Sequence, residues 1–137
     1  MSDAGAAGTP KTGLSGLKID DAVKYLDDNA EAGSTGKCAR YVRLAIEAGG
    51  IHLNNHPVYA KNYGPTLEAA NFVSVPTAGY TAQKGDIVVI QNYQGGHVAG
   101  HIAMYDGTQW VSDFKQRDFW AGPGYRQKKP SYKIYRP

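Results

Sequence analysis

Residues 84–107 read KGDIVVIQNYQGGHVAGHIAMYDG, and the pairing of this stretch decides the fold. Lys84, Gly85 and Asp86 have turn chemistry. They lead into 87–90, a continuous β-branched run of the kind found in a central strand. Residues 91–100 form a glycine-rich loop. A second strand follows over 101–105, and Asp106-Gly107 is a tight hairpin turn that sends the chain back as a third strand over 109–114. Working outward, 72–75 is a short extended piece followed by a turn, and 132–135 is a final strand that closes the sheet.

Upstream of these strands the periodicity is helical. Ile19, Ala22, Val23 and Leu26 share one stripe of a helix over 19–26, with Asp20 as its N-cap. A second helix over 37–48 is capped by Ser34 or Thr35 and stopped by Gly49-Gly50. Cys38, Val42, Ala45 and Ile46 lie on one face of it, so Cys38 stands in the first turn at the end of the buried face. Pro65 or Thr66 opens a short helix over 67–71. Helices first and antiparallel strands second predict an α+β fold, with the N-terminal helices packed on one face of a meandering sheet. Residues 1–16, rich in glycine, alanine, serine and threonine, are expected to be a flexible segment, and 17–137 a single domain.

Bulk properties exclude several functions. There is one cysteine, so no intramolecular disulfide forms. The first residues lack a basic stretch followed by an apolar run, which argues against a secretory signal, and no stretch is apolar enough to insert in a membrane. From Lys115 onward the basic residues are Lys115, Arg117, Arg126, Lys128, Lys129, Lys133 and Arg136, against a single acid, Asp118. Such a face suits an anionic polymer, yet no RNA-recognition or helix-turn-helix pattern accompanies it, so no nucleic-acid partner is expected. His97 and His101 have a spacing that suits metal ligation on a helix, but Gly100 and a strand intervene. His52 and His56 have no supporting ligand pattern, so neither a metal nor a cofactor is expected.

The chemistry centres on Cys38. A thiol attacks well only when ionised, and the N–H groups of a helix start favour a thiolate and can hold an oxyanion. A lone cysteine is more often an inert core residue; His101 shifts that balance. Strand alternation puts His101, Ala103 and Tyr105 on one face, and a sheet packed on the Cys38 helix presents His101 to the sulfur. Across the hairpin, Ser112 and Asp113 fall near the start of the His101 strand, so Asp113 is the candidate to orient the imidazole and Ser112 the weaker alternative.

Residues 36–43, GKCARYVR, resemble the nucleophile helix of CHAP amidases, members of the papain-like superfamily that includes the NlpC-type peptidases. Residues 84–89, KGDIVV, resemble the family's lead-in strand, and 100–107, GHIAMYDG, its histidine strand and turn. Within the superfamily the sequence is most similar to the small amidase effectors of type VI secretion, with 63–67 and 112–126 adding to the likeness. The resemblance implies a papain-like, CHAP-type fold and hydrolysis of an amide bond in peptidoglycan stem or cross-link peptides. It assigns Cys38 as nucleophile, His101 as general base and Asp113 as third residue. It also implies a monomer made in the cytoplasm without a signal peptide, injected into a target cell's periplasm, and a cognate immunity protein that plugs the cleft. Two other readings stay open. One is a non-catalytic wall-binding module using tyrosines and the basic C-terminal face; the other is a cysteine peptidase or acyltransferase acting on host protein.

Overall fold

Two amphipathic helices and a short third one precede the sheet in the computed structural model, which describes residues 14–137. The expected flexible segment 1–16 thus lies largely outside the described residues. At residue 14 the chain is already tied down, Leu14 donating its backbone N–H to the carbonyl of Pro137 at 3.0 Å.

Helix α1 spans Ile19–Asn29 and α2 spans Cys38–Ala48. Each buries the stripe its periodicity marks: Ala22, Val23 and Leu26 on α1, and Val42, Ala45 and Ile46 on α2. The caps differ from expectation. Lys18 and Lys37 occupy the N-cap positions without side-chain caps. Asp20 falls inside the first turn of α1, where it complements the helix dipole. The end of α2 lies tight against the start of α1 at Gly49, whose Cβ, if present, would collide with the Leu17 side chain and lie 3.0 Å from the Lys18 carbonyl. A 3-10 turn at Ala60–Asn62 and helix α3 at Gly64–Ala69 follow. Helix α3 starts earlier than expected because Pro65 sits in its first turn, and Asn71, in the left-handed region at φ 71°, lies beyond its end.

The sheet is antiparallel, in the order β1-β5-β2-β3-β4, with strands Val73–Val75, Ile87–Ile90, His101–Tyr105, Trp110–Val111 and Tyr132–Arg136 numbered along the chain. Strand β2 is central, and all four of its residues are buried. Ile87 and Val89 join Ile102, Met104 and the helices on one side. Val88 and Ile90 join Ala103, Trp110 and Ile134 on the other, under Phe119, Trp120 and Tyr132. Burial on both faces explains why this strand reads as an unbroken apolar run. Each such side chain contributes about 1.5–3 kcal/mol.

Two features depart from the expected pattern. The third strand ends at Val111 instead of 114: Ser112 donates its N–H to the Phe114 carbonyl at 3.0 Å, and the chain doubles back so that Gln116 donates to Trp110 at 2.9 Å. A fourth helix, α4 at Pro123–Lys128, covers part of the aromatic side, with Pro123 in its first turn.

Replacing Gly49 by alanine should cost about 1–3 kcal/mol through overpacking between α1 and α2. Urea unfolding should show a lower midpoint with an unchanged slope; an unmoved midpoint would mean that the helices separate freely.

Candidate active site

Cys38 is the first residue of α2, and the loop before it owes its course to a distant carboxylate. Asp113, buried in the turn after β4, accepts hydrogen bonds at Oδ2 from the Thr35 N–H at 2.5 Å, the Thr35 hydroxyl at 2.7 Å and the Lys37 N–H at 3.5 Å. Its own carbonyl accepts the Glu31 N–H at 2.7 Å. Thr35, expected as a helix cap, thus binds the sheet layer instead. On the opposite wall, Gly100 precedes β3 with φ 67°, a left-handed turn where any Cβ would strike the Ile90 carbonyl. That turn delivers His101 as the first residue of β3.

The pleat separates Ile102 and Met104, which pack under the helices, from Ala103 on the far side, and His101 shares the parity of Ala103. His101 therefore does not lie beneath the body of α2, as expected of a helix laid over its face. It reaches the cavity that Cys38 lines from the end of the strand. Both line one cavity of about 260 Å3, with Asp113, Tyr93, His97 and Tyr125 among its walls. The Tyr125 ring lies 5.9 Å from the imidazole and 5.0 Å from Tyr93, edge-on to the latter.

The imidazole's partner is Gln116, a buried residue that the sequence reading did not single out. His101 Nε2 and Gln116 Oε1 are 2.8 Å apart. The Gln116 amide donates its NH2 group to the carbonyls of Asp118 at 3.1 Å and Phe119 at 3.2 Å. Those two acceptors orient the amide, so Oε1 faces the ring and Nε2 of His101 carries the proton. Nδ1 is left as the basic nitrogen. Asp113, expected to orient the imidazole, instead holds the Thr35–Lys37 segment, and its Oδ1 has no hydrogen-bond partner among the described residues. Ser112 turns away into its local loop, its hydroxyl 3.5 Å from the Phe114 carbonyl. Strand counting missed Gln116 because it assumed a third strand running through 114. The turn-forming pair Ser112-Asp113 was the available signal that it stops sooner.

Burial governs the electrostatics. It pushes the Cys38 thiol up to about 11, against the backbone N–H groups of Ile102, Ala39 and Cys38 itself, while the Asp113 charge adds to the rise. Burial also holds His101, 6 % exposed, below the usual histidine value, although Gln116 and the Asp113 charge pull upward. For Asp113, burial is outweighed by the Thr35 and Lys37 hydrogen bonds, which keep its carboxyl below the ordinary range. At neutral pH the site is thus a neutral thiol, a neutral imidazole and a nearby carboxylate. Among the described residues no group of three His, Cys, Asp or Glu side chains could hold a metal, and no helix is long and apolar enough to cross a membrane.

Fold and cavity define a small α+β protein with a cysteine–histidine site between a helix start and the end of an antiparallel sheet. No protein-family model and no curated protein matches the chain. Two solved structures do. One is the selenomethionine form of the type VI effector–immunity complex Tae3–Tai3 from Ralstonia pickettii, 49% identical over 85% of this chain and 99% of that one, with a TM-score of 0.78. The other is the native form of the same complex, 49% identical over 86% and 97%, with a TM-score of 0.79. The chain belongs to the Tae3 family of type VI effectors.

The raised thiol value makes a direct prediction. Alkylation of Cys38 by iodoacetamide should accelerate roughly tenfold per pH unit from 7 to 9, because only the thiolate reacts. A rate that has already reached its plateau at neutral pH would reveal a preformed thiolate–imidazolium pair.

Proposed function

We propose that this chain hydrolyses an amide bond in peptidoglycan stem or cross-link peptides, as a thiol amidase of papain-like, CHAP type delivered by type VI secretion. The observation that carries the reading is the convergence of Cys38 and His101 on one cavity in a chain 49% identical to a type VI effector. In this mechanism Nδ1 of His101 takes the thiol proton as Sγ of Cys38 attacks the carbonyl carbon. The N–H groups at the start of α2 stabilise the oxyanion. The tetrahedral intermediate collapses to a thioester, and the imidazolium returns the proton to the leaving amine. The imidazole then deprotonates a water that attacks the thioester, releasing the acid and restoring the thiol.

Gln116 holds the imidazole in the reactive tautomer. Asp113 contributes by fixing the nucleophile loop, and its charge favours the imidazolium that each half-reaction creates. The Tae3–Tai3 neighbours are effector–immunity complexes, which supports delivery into a target cell and a cognate immunity protein for this chain as well.

Digestion of purified Gram-negative sacculi, read by mass spectrometry of released fragments, tests the reading. Wild type should release new fragments whose masses name the bond. Cys38→Ala should release none, His101→Ala nearly none, and His97→Ala should retain most activity. Undiminished digestion by Cys38→Ala would end the proposal, and tight wall binding by wild type and variant without cleavage would favour the binding module. A separate outcome concerns the tautomer. Gln116→Ala should lower kcat/KM by about 10–100-fold, a loss on the scale of one misplaced acid–base partner. The imidazole 15N shifts of Gln116→Ala should show mixed tautomers; a single unchanged tautomer would remove Gln116 from the mechanism.

A further inference from the structure

A second hollow of about 340 Å3 lies beside the 3-10 turn, where α3 meets the β2–β5 pair. Lys61, Lys133, Gln91, Ser131, Tyr132 and Tyr135 line it, and no acidic side chain does. Among the described residues neither lysine makes an ion pair: the Lys61 ammonium is 3.4 Å from the Asn92 side-chain oxygen and stands over the Tyr59 ring. The nearby arginine, by contrast, is neutralised, Arg136 being paired with Asp86 at 2.8 Å. Glu68 on α3 acts on Tyr135 but does not line the hollow. The Tyr132 side chain turns to the aromatic face of the sheet, so two cations without counter-ions, the Ser131 and Tyr135 hydroxyls and the Gln91 amide around one concavity form a donor set for an oxyanion.

This hollow shares a wall with the Cys38 cavity. Lys61 donates its N–H to the Ala99 carbonyl at 2.8 Å, and Gln91 donates its side-chain N–H to the Lys61 carbonyl at 3.0 Å. Ala99 and Gly100, on the far side of that wall, line the catalytic cavity. The sheet register sets the span. Ile90 pairs with His101 on one side and with Tyr132 on the other, so the backbones of these two residues, one lining each cavity, stand two strand spacings apart. That is roughly 10 Å, or about three residues of extended peptide at ~3.3 Å each.

We propose that this hollow is a carboxylate site, which anchors a carboxylate of the peptide about three residues from the amide bond held at Cys38. The assignment rests on the peptidoglycan-peptide reading above and adds to it how the substrate is held.

Binding to an inactive protein tests it. 15N-labelled Cys38→Ala protein is titrated with a stem tetrapeptide bearing free carboxylates, then with the same peptide amidated at its C-terminus, and then amidated only on its side-chain carboxylate. The free acid should shift the backbone amides of Gln91, Ser131 and Lys133 and bind about tenfold more tightly than one of the amides. Whichever amidation abolishes the shifts names the carboxylate, and either result supports the site. A Lys61→Gln/Lys133→Gln double variant on the same background should lose the preference. Absence of shifts, equal binding of acid and both amides, or an undiminished preference in the double variant would overturn the proposal. Sacculus digestion is independent of these readouts. Acid-selective binding without any cleavage would refute the amidase and keep the site, whereas cleavage without acid preference would do the reverse.

Discussion

The carboxylate of Asp113 reaches from the turn after β4 to Thr35 and Lys37, joining the strand layer to the start of the Cys38 helix through one ionised group. Residues 31–37 are exposed and have almost no apolar side chains to pack, so hydrophobic burial cannot hold them in place. Hydrogen bonds to a charged acceptor, worth about 1.5–3 kcal/mol each, can. The position of Cys38 against β3 follows, and with it the approach of the Ile102 N–H to the sulfur. The same carboxylate is satisfied unevenly: three donors crowd Oδ2, while Oδ1 has no partner among the described residues. An incompletely paired buried oxygen is costly, which makes Asp113 a source of field inside the site as well as a tether.

That field acts oppositely on the thiol and the imidazole. It opposes a thiolate at Cys38 and favours an imidazolium at His101. Both groups are desolvated, so separating charge between them at rest would cost more than it returns. A neutral resting pair is the consequence, and in the proposed mechanism the proton moves only when the incoming carbonyl carbon accepts the sulfur's electrons. In that mechanism the helix-start N–H groups then serve the oxyanion, because no standing thiolate occupies them fully.

Much of this arrangement was legible in the sequence, and the illegible parts share a cause. The stripe Val42–Ala45–Ile46, the run 87–90 and the hairpin at Asp106-Gly107 each carry a local period or turn signal, and each appears where that signal puts it. The placement of Cys38 and His101 at the starts of their elements was legible because Gly36 and Gly100 mark those boundaries. Gln116 was not, because its role depends on the chain doubling back after Val111 and on two carbonyls, of Asp118 and Phe119, that no pattern announces. Thr35 was assigned to a cap because local capping is the commonest use of such a residue; a carboxylate 78 positions away outcompeted the helix for its hydroxyl. Helix α4 lacks an apolar stripe, as none of its residues is buried, so periodicity could not reveal it.

The basic C-terminal stretch, which reads as one charged face, divides in the structure according to the chemistry of its side chains. Arg136 meets the fully buried Asp86 with two nitrogens, at 2.8 and 2.9 Å, and Tyr80 adds its hydroxyl to the same carboxylate at 2.6 Å. A planar fork matches a carboxylate in that way, and an ammonium does not. Arg126 closes on Asp118, whose carbonyl also receives Gln116, so this pair braces the residue that orients the imidazole. Arg126 and Arg136 are thus committed to the fold, whereas Arg117 is exposed. Lys128, Lys129 and Lys133 remain exposed on their flexible stems. A hydrated ammonium gains little from a permanent surface partner, so these are the cations still available when an anionic ligand arrives. Net charge alone conceals this division; the geometry of the paired guanidinium groups reveals it.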